Sequence, residues 1–126
     1  MNVPLEKSLT RPVASVVLSK AVKSAAERLH VSQAALAKIL GLSPPTISRM
    51  YSGEFQLQEQ SKQWDLALLY VRIFRSLDSI VGDEESARIW LNGDNTGLNG
   101  RPIDLIQHTE GLVRVVHYLD ASRGIV

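Results

Sequence analysis

The tightest constraint on this chain lies in residues 32–53, SQAALAKILGLSPPTISRMYSG. With Gln33 as position 1 of a helix-turn-helix template, Leu36, Leu40, Leu42, Ile47 and Met50 take the apolar positions where two short helices lock together. Ala37 stands where the second helix crosses close and a larger side chain would collide. Gly41 stands at the turn, which asks for a left-handed backbone that glycine adopts at no steric cost. An ordinary helical hairpin shares the amphipathic pairing and the glycine, but a gapless fit at seven positions favours a unit built to enter a DNA major groove.

Local chemistry supports both helices. Ser32 and Ser43 are N-cap residues, and Pro44 and Pro45 fall in the first turn of the second helix, where a missing N–H costs nothing. Thr46, Ser48 and Arg49 lie between the inward Ile47 and Met50, so together with Pro45 they form the outward face. Arg49 and Thr46 are the candidates for base edges, and Pro45 for a thymine methyl. Gln33 and Ser43 are the candidates for phosphate contact at helix N-termini. Gln33 reads equally well as a solvated first-turn glutamine.

Charge divides the chain. Residues 1–63 carry eight Lys/Arg against four acids, and residues 64–126 carry six Arg against nine acids, within a net charge of +1. A basic half around the helix-turn-helix suits phosphate, and an acidic half suits a basic protein partner. We therefore expect a DNA-binding domain over residues 1–63 and a second helical domain over 64–126. The absence of cysteine excludes disulfides and thiolate metal sites. Neither a signal-peptide core nor an apolar run of about 20 residues is present, so a soluble, cytoplasmic protein without membrane contact is expected.

The remaining segments read as helices. Residues 1–9 are expected to lack regular structure, with Thr10 capping a helix whose first turn holds Pro12 and whose apolar face is Val13, Val16, Val17, Ala21, Ala25 and Leu29. Residues 54–63 are a polar, glutamine-rich linker anchored by Phe55 and Leu57. Residues 64–81 are apolar over more than half a helical circumference: one stripe is Trp64, Ala67, Leu68, Val71, Phe74 and Leu77, the other Leu66, Tyr70, Ile73 and Ile80. Such a helix must be covered on several sides, as the centre of its half or in a dimer interface. Residues 83–92 begin acidic and bury Ala87, Leu91 and either Ile89 or Trp90. A glycine- and asparagine-rich loop, a short helix from Pro102 and a last helix over 110–121 follow. The fold class is all-α.

Enzyme signatures are missing. The loop at residues 92–102 has no Gly-Lys-Ser/Thr, so it is no P-loop. Over a calcium loop, Asn92, Asp94, Thr96 and Gly97 fit the first half, but Ile103 stands where a bidentate glutamate is needed. His30, His108 and His117 form no metal-binding helical pair, and Asp104 with His108 makes only two ligands. No cofactor, metal or catalytic residue is expected.

The N-terminal unit resembles the Xre/Cro-like repressor family. The second half is similar to the C-terminal domain of Xre/MbcA/ParS-type antitoxins, through Trp90 with Leu91, the segment Gly100-Arg101-Pro102-Ile103, and Gly111 spaced to Val115. That resemblance implies a type II antitoxin that binds and inactivates a NAD-consuming RES-domain toxin and represses its own operon on operator DNA. One departure is that Pro44 and Pro45 stand where repressors often place base-reading glutamines. It further implies toxin contacts from Trp90, Arg101 and Asp104, and from a C-terminal tail, Arg123, Gly124, Ile125 and Val126. The tail, closed by a carboxylate, would block an arginine-lined pocket, or it is simply a frayed terminus. A homodimer through the second half is expected, because a single reading head buries too little surface for tight specific binding. The competing readings are a stand-alone phage-type repressor whose second half only dimerises, and an adaptor that does not bind DNA.

Overall fold

The computed structural model describes residues 3–124, with side chains from Ala14 onward. Seven helices follow in order: α1 (Val3–Leu29), α2 (Gln33–Leu40), α3 (Pro44–Ser52), α4 (Lys62–Val81), α5 (Glu84–Asn92), α6 (Pro102–Leu105) and α7 (Thr109–Ser122). Among the described residues no strand forms; Asn95 and Gly100 make one isolated antiparallel bridge. The all-α expectation holds.

α4 organises the molecule. Ser61 caps it by accepting from the Trp64 N–H at 3.0 Å, so it begins two residues before Trp64, and Gly82 ends it with φ 83°. It packs against α1, α2, α5 and α7, and its buried Leu66, Ala67, Tyr70, Val71, Ile73 and Leu77 belong to one continuous apolar core that draws on both halves of the chain. The two stripes were legible, with two exceptions: Leu68 and Ile80 are 48% and 43% exposed.

α1 differs most from expectation. Its backbone is helical from Val3, so Thr10 and Pro12 lie inside the helix and not at its start, and Pro12 removes one N–H from the ladder. The expected Val13 contact lies outside the described side chains. The buried face is Leu18, Val22, Ala25, Ala26 and Leu29, and Val17 is 59% exposed. Two neighbouring faces of this helix both satisfy a 3.6-residue period, and only the position of α4 decides between them.

The linker between α3 and α4 is held from below. Leu57 is fully buried, and its N–H donates to the Oγ of buried Ser19 at 3.1 Å. Ser19→Ala would leave that N–H without an acceptor in an apolar setting, an expected loss of about 1–3 kcal/mol. A denaturant midpoint measures it; an unchanged midpoint would mean that the linker is not pinned through Ser19.

The loop after α5 is closed by reciprocal backbone bonds between Asn95 and Gly100, at 3.0 and 3.2 Å. The Asn95 side chain accepts from the Leu98 N–H at 3.0 Å, and Leu98 is buried. Arg114 of α7 donates Nη2 to the Leu98 carbonyl at 2.7 Å. These bonds set α6 against α5 and α7.

Candidate DNA-reading and toxin-binding faces

The helix-turn-helix is assembled by its caps. Ser32 Oγ accepts from the Ala35 N–H at 3.1 Å, and Ser43 Oγ accepts from the Thr46 N–H at 3.3 Å. Gly41 takes the left-handed conformation at φ 69°. Leu36, Leu40 and Ile47 are fully buried, with Met50 and Ala37 nearly so, which fixes the crossing of α2 and α3.

That crossing turns Pro45, Ser48 and Arg49 to solvent on α3, beside Ser43 at its cap. Gln33 is exposed at the first residue of α2. Thr46 is half-buried and its hydroxyl is already engaged: it lies 2.8 Å from Ser43 Oγ and accepts from Arg49 Nη2 at 3.1 Å. The guanidinium thus rests along the helix and must leave Thr46 before it can extend into a groove. Tyr51, half-buried near the end of α3, has its phenol held above the ordinary range by burial and then by the Glu27 carboxylate, so it stays neutral.

The second set of expected residues is spread over three helices. Trp90 on α5 is half-buried and tilted 31° against Tyr118 of α7, with ring centroids 6.3 Å apart. Ile89, 67% exposed, and Tyr118, 36% exposed, flank it. This extends the surface beyond the residues that sequence reasoning selected. The expectation left Ile89 and Trp90 as alternatives for burial, and the structure turns Trp90 inward. Arg101, at the N-cap of α6, and Asp104 within it are exposed and paired with each other, at 3.0 and 3.3 Å. Asp83 caps α5; the Ser86 backbone N–H, then the Ser86 hydroxyl, hold its carboxyl below the usual carboxylate range.

The tail follows Tyr118 at the far end of α7 from Arg101 and Asp104. α7 meets α6 at Gly111, and Arg123 follows about 18 Å further along the helix axis at 1.5 Å per residue. Arg123 donates Nη1 to the Oγ of buried Ser76 at 3.0 Å, and Gly124 turns the chain with φ 78°. Ile125 and Val126 lie outside the described residues. Among the described residues, no group of three His, Asp or Glu is placed to hold a metal ion, and no helix is long and apolar enough to cross a membrane.

A capped helix-turn-helix with an outward α3, joined through α4 to a second helical module, defines a DNA-binding protein of the helix-turn-helix class. Residues 8–72, half of the chain, match the family model of the antitoxin Xre-like helix-turn-helix domain, and residues 76–124 match the antitoxin Xre/MbcA/ParS C-terminal toxin-binding domain. The chain belongs to the Xre/MbcA/ParS antitoxin family. Among solved structures it is similar to a chain of the M. tuberculosis MbcT-MbcA toxin-antitoxin complex, with 24% identity and a TM-score of 0.63, over 87% of this chain and 97% of that one. At that identity the likeness is one of fold. No curated protein matches the chain.

Proposed function

We propose that this antitoxin binds and inhibits a NAD-consuming RES-domain toxin, and represses its own operon by docking α3 in operator DNA as a homodimer in the cytoplasm. Residues 1–63 serve the operator and residues 64–126 serve the toxin and the dimer. The observation that carries the reading is the joining, on one apolar core, of a capped helix-turn-helix to a module of the toxin-binding family. Arg49 and Thr46 read base edges, Pro45 and Ser48 line the groove contact, and Gln33 and Ser43 hold phosphates. Trp90, Arg101 and Asp104 contact the toxin, and the segment from Arg123 through Gly124, Ile125 and Val126 enters its pocket.

Co-expression with the product of the adjacent gene tests this reading against a stand-alone phage-type repressor. An antitoxin co-purifies with that product and neutralises it; a stand-alone repressor shifts operator DNA and captures nothing. The tail is tested separately. Removing residues 123–126 also removes the Arg123 bond to buried Ser76, so circular dichroism first checks the fold; in a folded truncation operator binding is expected to survive while toxin activity returns in cells. A truncated protein that still protects at equal molar ratio places inhibition on the surface from Trp90 to Asp104 instead.

A further inference from the structure

The outward stripe of α4 serves neither the operator nor the toxin contacts proposed above. Asp65, Leu68, Arg72, Arg75 and Ser79 follow one another at spacings of three and four, so they share one face, and all five are exposed. Leu68 and the exposed Val17 of α1 line a groove of about 740 Å³ between α1 and α4, floored by Leu18 and Leu69. Among the described residues, none of its lining comes from α2, α3, α5 or α6, but Arg123, the first residue of the tail proposed for the toxin, lines it together with Arg72 and Arg75. Arg72 on its rim is taken up by Asp120, with bonds of 3.1 and 2.9 Å. Arg75 and Asp65 make no ion pair among the described residues.

We infer that the occupant of this groove is a second copy of the chain, its α4 laid antiparallel to the first about a two-fold axis level with Tyr70. The stripe is acidic at its N-terminal end and basic at its C-terminal end, so it complements itself only when reversed. Reversal sets Asp65 of each copy opposite Arg75 of the other, about 15 Å apart along each helix, and places each Leu68 against the aliphatic stem of the other copy's Arg72. A parallel copy would set arginine against arginine and Asp65 against Asp65. A contact that pairs a surface with itself is what a closed two-fold dimer requires. The inference rests on the dimer of the proposed function and on nothing about DNA or toxin.

Sedimentation equilibrium of the full chain, without DNA or toxin, tests it. Asp65→Arg and Arg75→Glu each set like charges face to face, and each is expected to weaken the dimer by about tenfold or more. Asp65→Arg combined with Arg75→Glu exchanges the two facing charges and restores dimerisation, and Leu68→Glu abolishes it. All three positions are exposed, and circular dichroism with a melting temperature confirms that each variant folds. A wild-type chain that stays monomeric at high micromolar concentration overturns both the dimer and the groove. A dimer indifferent to the single substitutions overturns the groove and leaves a dimer elsewhere; a double variant that fails to recover overturns the antiparallel register.

Discussion

Gly111→Ala is expected to destabilise the protein by about 3 kcal/mol, lowering its melting temperature by roughly 10 °C. Gly111 occupies the first turn of α7, where the Leu105 backbone at the end of α6 comes closest. A Cβ there would overlap the Leu105 carbonyl oxygen and lie 2.7 Å from its carbon. Both obstacles are backbone, so no rotamer change relieves them, and α6 must move as a body. Alanine is otherwise the better helix former by roughly 0.5–1 kcal/mol, which makes the sign of the measurement decisive. A variant as stable as the parent would mean that α6 and α7 do not meet this closely. Because α6 and its cap hold Asp104 and Arg101, the toxin contacts proposed above, the same substitution should weaken toxin binding well beyond its effect on the operator.

Arg49→Ala is expected to cost about 1–3 kcal/mol of operator discrimination and to flatten preference at a single base position. Arg49 is the long donor on the outward face of α3, and in the DNA-free protein its guanidinium is parked on Thr46. Gln33→Ala should behave differently. Loss of the phosphate contact proposed for Gln33 is expected to lower affinity for all sequences alike and to leave the preferred bases unchanged. Binding titrations at fixed salt across single-base operator variants separate the two. Unchanged affinity and preference in Arg49→Ala would remove Arg49 from the reading face.

The helix-turn-helix was legible because its determinants are local. Caps at Ser32 and Ser43, a left-handed Gly41 and the inward set from Leu36 to Met50 all act within about twenty residues. The family pattern in the second half was legible for a related reason: Gly111 marks a backbone contact that no other residue allows, and Pro102 starts α6 in its first turn. What escaped was non-local. The face of α1 that goes inside depends on where α4 lies, so Val17 and Leu18 could not be told apart by period alone. Leu68 read as core for the same reason, since its helix is apolar around most of its circumference and the chain does not say which side stays uncovered. Leu98, in a loop of glycine and asparagine, is buried because Arg114 binds its carbonyl from sixteen residues away. The candidate toxin surface shows the same limit: Trp90 and Arg101 belong to a motif, whereas Ile89 and Tyr118 join them only through the packing of α5 on α7.

Inhibition of a NAD-consuming enzyme is read directly as NAD loss by the purified product of the adjacent gene while this protein is titrated in. Consumption is expected to fall linearly with added antitoxin and to stop at a fixed molar ratio, with one complex recovered by gel filtration. NAD consumption that continues at full rate in excess antitoxin, or a neighbouring product that consumes no NAD, would contradict it.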